Sequence, residues 1–211
     1  MAINLTKSDI DWLQKKYPQL IVDTFNNKIY GQISFRLDYE GYKIEDTYSI
    51  KVDLNTLDIA NLPKVYETSG KIYKVAKKYN VPNDDLHINR DGSFCIMIKG
   101  EAKQIFDNDF IIQEFFYNGI EKFLYQISFY DKEGYFPWGE YAHGYLGYLE
   151  LFYEDKITLE DLISNLDKFE LINICLVNRQ SKCLCESNKK LRKCHPNVFG
   201  GIQKFKRYIK I

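Results

Sequence analysis

Between Ile29 and Leu54 the apolar side chains return on every second position. Ile29, Ile33, Phe35, Leu37 and Tyr39 share one phase with Gly31, and Tyr48, Ile50, Val52 and Leu54 repeat the alternation beyond Glu40-Gly41. A period of two puts these side chains on one face of a pleated strand and their polar neighbours on the other. The runs therefore predict antiparallel strands with one wet face, joined at the glycine. No helix can gather such a pattern on one side, so the fold must contain a sheet.

Helices are expected on both sides of these strands. From Leu5 to Tyr17 the positions Ile10, Leu13 and Tyr17 have helical spacing, with Ser8 as the candidate cap and Pro18 closing the segment. Asn61-Leu62-Pro63-Lys64-Val65-Tyr66-Glu67 reads as a further extended stretch. Ile111, Phe115, Gly119, Phe123 and Ile127 lie four apart, and Ile112, Phe116, Ile120 and Leu124 form the adjoining line, which predicts a helix of about four turns backing the sheet. A shorter helix is expected after Thr158, with Leu159, Leu162, Ile163 and Leu166 as its core stripe. The expected fold class is α+β.

Chemistry is concentrated in Leu86-His87-Ile88-Asn89-Arg90-Asp91-Gly92-Ser93-Phe94-Cys95. A cysteine thiolate attacks acyl carbonyls, and an asparagine amide can donate to the oxyanion that forms. A Gly-Ser turn ahead of an apolar run places Cys95 where a loop enters a short strand. The alternative is a small buried hydrophobe, the commonest role of a free cysteine.

His-x-Asn followed by Gly-Ser-x-Cys resembles the active-site signature of ubiquitin-conjugating enzymes, which carry His-Pro-Asn and then Gly-x-x-Cys. His87 and Asn89 match the His-Pro-Asn pair, Gly92 the glycine and Cys95 the thioester-forming cysteine, while Ile88 stands where the family has proline. The order of helix, alternating strands, proline segment and cysteine loop is also the order of that family. The resemblance implies a four-stranded antiparallel meander with flanking helices. It also implies that Cys95 carries an acyl group as a thioester, that Asn89 steadies the oxyanion and that His87 holds the loop.

Near the end of the chain, Cys183-Leu184-Cys185 is followed after eight residues by Cys194-His195, four metal-type ligands within thirteen positions. Two close pairs joined by a short loop supply the tetrahedral sulfur and nitrogen donors zinc prefers, with little chain entropy to lose. Cysteines separated by one residue pair with strain, which disfavours a disulfide. The lysine-rich spacer makes the whole resemble the SEC-C zinc motif, and four protein ligands close the site, as in structural zinc centres. The expected cofactor is structural Zn²⁺ on Cys183, Cys185, Cys194 and His195. The basic tail after it, with Lys204, Lys206, Arg207 and Lys210, reads either as a contact for an acidic partner or as a solvated surface strand.

Pro137 to Gly147 is a glycine-punctuated aromatic stretch carrying Glu140 and His143. In a thioester enzyme His143 or Glu140 would lower the Cys95 pKa or take a proton from the attacking amine. The same residues also suit a cysteine hydrolase with a Cys95, His143 and Glu140 triad.

The chain has 211 residues, of which 45% are hydrophobic, enough for one substantial core and a small appendage. The expected division is a conjugating-type domain over 1–170 and a zinc tail over 171–211. Lys+Arg and Asp+Glu are equal at 29 each, so no net field draws the chain to nucleic acid or membrane, and neither is expected as a partner. No apolar run approaches a membrane span and no leader opens the sequence, which predicts a cytoplasmic protein. No phosphate-binding glycine loop is visible, so the acyl donor must be activated elsewhere. The resemblance implies a protein donor, either a ubiquitin-like protein or the C-terminus of a cyclic-oligonucleotide synthase in a bacterial antiphage operon, with a separate activating enzyme. A non-catalytic adaptor of the same fold, binding its partner through the zinc tail, is the alternative.

Overall fold

A computed structural model describes residues 2–58, 60–106, 109–138, 141–142, 144–185 and 187–210, with Gln104 described by its backbone alone. The chain divides into two compact units, Met1–Gly139 and Glu140–Ile211. This division falls well before the 170/171 boundary expected from sequence, because the helices from Tyr145 onward pack with the C-terminal segment.

The amino-terminal unit is an α+β fold built on a four-stranded antiparallel sheet. Helix α1 (Lys7–Lys16) comes first, followed by β1 (Leu20–Asp23), β2 (Lys28–Tyr39), β3 (Tyr42–Leu57) and β4 (Pro63–Glu67), which hydrogen-bond in sequence order. The alternation settles the register: Ile29 faces Val52, Ile33 faces Tyr48 and Leu37 faces Ile44. One face is thereby buried and the other wet. Tyr39 pairs with Tyr42 across Glu40 and Gly41, both at positive φ, the two-residue turn that matches strand twist. Strand β1, four residues long, is too short to show alternation and was not read from the sequence.

Thr6, not Ser8, caps α1. Its hydroxyl accepts from the Asp9 amide while the Asp9 carboxylate accepts from the Thr6 amide, a reciprocal capping box. Beyond β4 come α2 (Lys71–Tyr79), a 3₁₀ turn (Asn83–Leu86) and α3 (Lys99–Ile105). The expected long helix is present as α4 (Ile112–Glu114), a π-helical segment (Phe115–Glu121) and α5 (Lys122–Glu133). Apolar residues exactly four apart drift off one face of a 3.6-residue helix. The wider π turn brings Phe115, Phe116, Gly119 and Ile120 back onto the buried side. The buried Tyr17 hydroxyl donates to Glu121 in that segment at 2.8 Å, tying the end of α1 to it. Tyr48 and Ser128 share a 2.8 Å hydrogen bond that joins the sheet to α5.

The carboxy-terminal unit is helical. It contains α6 (Tyr145–Tyr153), α7 (Leu159–Ser164), α8 (Lys168–Leu176), α9 (Leu191–Cys194) and α10 (Pro196–Ile209). Thr158 caps α7 as expected, with Asp161 completing the box. Helices α6 and α10 approach so closely that a Cβ on Gly201 would lie 2.1 Å from the Leu149 carbonyl oxygen. The basic tail, read from sequence either as an acidic-partner contact or as a solvated surface strand, is the last helix, with Phe205 buried, Lys204 paired with Asp155, Lys206 donating to the Cys175 and Val177 carbonyls, and Arg207 and Lys210 exposed. Among the described residues no helix is long and apolar enough to cross a membrane.

Candidate functional site

Two cysteine-bearing sites emerge, one in each unit. In the first, the chain from His87 to Cys95 forms a tight hairpin. The Asn89 amide donates to the Ser93 carbonyl and the Gly92 amide to the Asn89 carbonyl, both at 2.8 Å, and Ile88 bridges Phe94. Gly92 sits at φ +82°, the left-handed position this turn requires and the reason glycine stands there. The Cys95 amide then donates to the His87 carbonyl at 2.7 Å, so the histidine and the cysteine are joined through backbone.

The hairpin is fastened to the last strand of the meander. The Phe94 amide donates to the Val65 carbonyl at 2.7 Å, Ser93 bridges Tyr66, and Lys64 pairs with Asp91 at 2.5 Å. Asp91 also accepts from the Ser93 amide at 3.0 Å and the Ser93 hydroxyl at 2.6 Å. The Lys64 ammonium, backed by those donors, holds the Asp91 carboxyl far below the usual carboxylate range. Phe94 lies stacked on Phe123 at 4.3 Å, and Ile96 and Met97 press against Gly119, where a Cβ would come within 3.1 Å of Ile96. The lack of a side chain at Gly119 lets the segment after Cys95 lie against the π-helical turn.

Cys95 itself is half-buried. Burial pushes its thiol above the ordinary range and the nearby Asp58 carboxylate adds to the rise. Asp58 is fixed in the β3–β4 loop by accepting from the Ala60 and Leu62 amides at 2.8 and 2.9 Å, and burial raises its own pKa. Asn89 is exposed at the turn, with one side-chain amide proton directed to the Ser93 hydroxyl at 3.1 Å. His87 is half-buried at φ +56°, its ring 5.6 Å from Phe136. His143 and Glu140 lie outside the described residues. Trp138, just before them, packs edge-on against Tyr39 and stacks on Tyr125. Asp58 and Lys64 were missed in sequence because only the fold carries the β3–β4 loop and β4 to the hairpin.

The second site gathers Cys183, Cys185, Cys194 and His195, whose ligand atoms all lie within 4.8 Å of one another. A short hairpin, in which Lys182 bridges Lys190, brings the first pair back toward the second. The single turn of α9 ends at Cys194, and His195 precedes Pro196 at the first position of α10. Cys183 Sγ lies 3.1 Å from His195 Nδ1, and Cys185 Sγ lies 3.7 Å from Cys194 Sγ. A tetrahedron with metal–sulfur bonds of about 2.3 Å has edges of roughly 3.8 Å, so the second pair already has the required separation. Cys185 is exposed, where apolar packing has no hold on a thiol. The donor set thus fits a tetrahedral metal ion.

The thiols of the cluster differ in acidity. A hydrogen bond from Ser187, joined by the neighbouring thiols, holds Cys185 down at about 6, while burial pushes Cys183 up to about 11. Glu150, buried in α6, accepts from the Ala142 amide at 2.6 Å and is close enough to His195 to feel its charge.

No protein-family model, curated protein or solved structure matches the chain.

Proposed function

We propose that this protein is a ubiquitin-conjugating-like acyl transferase in which Cys95 carries a protein C-terminus as a thioester and passes it to an amine. The observation that supports this reading most is the anchoring of the cysteine hairpin on the fourth strand of an antiparallel meander, with His87 bonded to Cys95 through backbone and Asn89 at the turn. In the first step the Cys95 thiolate attacks the carbonyl of a donor thioester, forming a new sulfur–carbon bond and releasing the donor's thiol, which takes up the proton. In the second, an acceptor amine attacks that carbonyl, the Cys95–carbon bond breaks, and the amine's proton passes to solvent as the amide forms. Asn89 retains a second amide proton to meet the oxyanion of either step. The donor is a ubiquitin-like protein or the C-terminus of a cyclic-oligonucleotide synthase, activated by a separate enzyme. The metal of the second site is a structural zinc ion, held by Cys183, Cys185, Cys194 and His195 in a closed site.

A second reading, a non-catalytic adaptor of the same fold, is favoured by the raised Cys95 pKa, since a protonated thiol is a poor nucleophile. Replacing Cys95 by lysine separates the two. Cys95→Lys protein recovered from its native host should carry the transferred protein as a stable amide, seen as a mass increment that Cys95→Ala lacks. An unmodified mass, with the neighbouring genes expressed, assigns the adaptor role.

A further inference from the structure

The carboxy-terminal unit contains a cavity of about 540 Å³ beside the metal-ligand cluster. It is lined by Arg179, Arg192 and Lys206 together with Asn178, Gln203 and Phe199. Cavities of this size suit small ligands or a segment of a larger one.

Its cations are not spent on carboxylates. Among the described residues neither arginine has an acidic partner, and the Arg192 Nε is buried without any hydrogen-bond partner. That Nε is itself enclosed, so a ligand in the cavity would be met by the remaining N–H groups of the two guanidiniums, which suit an oxyanion. Lys206 donates to the Cys175 and Val177 carbonyls at 2.7 and 2.6 Å, which closes the end of α8 and leaves its third proton for a ligand.

The equal charge totals of the whole chain hide a strong local imbalance. From Val177 onward the sequence has ten lysines and arginines against the single carboxylate of Glu186, whereas residues 140–176 have eight acidic residues and two lysines. The positive surface continues from the cavity along the metal-site hairpin: Lys190 reaches Gln180, next to Arg179, at 2.6 Å, and Lys182 reaches Asn188 at 3.0 Å. A single phosphate would need only the cavity; the continuing row of cations suits a chain of phosphates. Phe199, half-buried, also lines the cavity and is an aromatic ring of the kind on which bases stack.

We propose that this cavity binds the phosphodiester backbone of single-stranded nucleic acid, with Arg179 and Arg192 gripping one phosphate and Phe199 receiving an adjoining base. The proposal is independent of the chemistry assigned to Cys95. It is tested by fluorescence anisotropy of a labelled single-stranded oligonucleotide titrated with the full, zinc-loaded chain. The expected result is binding that weakens with added salt, loses about tenfold in affinity in R179E and in R192Q, and shows a shallower salt slope in each. Arg179 is exposed, so R179E remains informative if R192Q does not fold. AMP or inorganic phosphate should displace the oligonucleotide only at far higher phosphate concentration. Displacement by AMP at equal phosphate concentration would overturn the backbone assignment in favour of a free nucleotide. Equal displacement by a polyglutamate peptide would overturn it in favour of an acidic protein, and an affinity unchanged in R179E, or no binding in low salt, would overturn it outright.

Discussion

The two cysteine sites are built in opposite ways. At the candidate metal cluster, four ligands within thirteen residues converge through one hairpin and one helical turn, with Cys183 and Leu191 buried. At Cys95 a single sulfur is placed by long-range packing, with Phe94 on Phe123 and the hairpin on β4. The first site therefore depends on its ligands and the second on its fold. Chemical treatment should separate the two regions cleanly.

Metal removal should have the largest effect and confine it to one region. Binding of structural zinc contributes on the order of 10 kcal/mol in small zinc modules. A chelator should speed amide exchange over residues 181–195 by orders of magnitude while β2 and β3 keep their protection. Exchange rising equally in the sheet would mean that the two regions are not independently held. Phe94→Ala should reverse the pattern. Loss of a fully buried, stacked ring costs about 3–5 kcal/mol, which urea denaturation should register in the amino-terminal unit without loss of bound metal. Gly201→Ala should cost about 2 kcal/mol, because its Cβ would strike the Leu149 carbonyl and force α10 away from α6.

Smaller effects sharpen the contrast in acidity. Because burial and Asp58 both raise the Cys95 pKa, iodoacetamide should modify it with a midpoint above that of a free thiol, and Asp58→Asn should move that midpoint down. A midpoint below the free-thiol value would point to an activated nucleophile and to a partner charge nearer than Asp58. Lys64→Ala should cost only about 0.5 kcal/mol, since the Asp91 pair is partly solvated. Its remaining contribution is present above the ordinary aspartate pKa and fades as the pH falls through the depressed one.

The same contrast explains what could be read from the letters. The cluster was legible because its ligands and their spacing are local, and the strands were legible because the alternation runs from Ile29 to Tyr39 and resumes, in shifted phase, from Tyr48 to Leu54. The Thr158 cap was visible for the same reason. The surroundings of Cys95 were not, since Asp58, Lys64 and Phe123 reach it only through the sheet and the long helix. Helix α2 was missed because it starts after Gly70 with no side-chain cap, and the division between units because α6 begins inside a glycine-rich stretch that resembles a loop. The net charge was the least informative number: a sum of zero is compatible with ten cations gathered after Val177.

Thiol mapping by mass spectrometry of the metal-loaded protein tests most directly whether one site is metal-held and the other a free thiol. Cys183, Cys185 and Cys194 should stay unlabelled by a maleimide until a chelator is added, whereas Cys95 should label slowly and at the same rate with or without it. Equal labelling of the three cluster cysteines in both conditions would contradict the account, as would protection of Cys95 that the chelator removes.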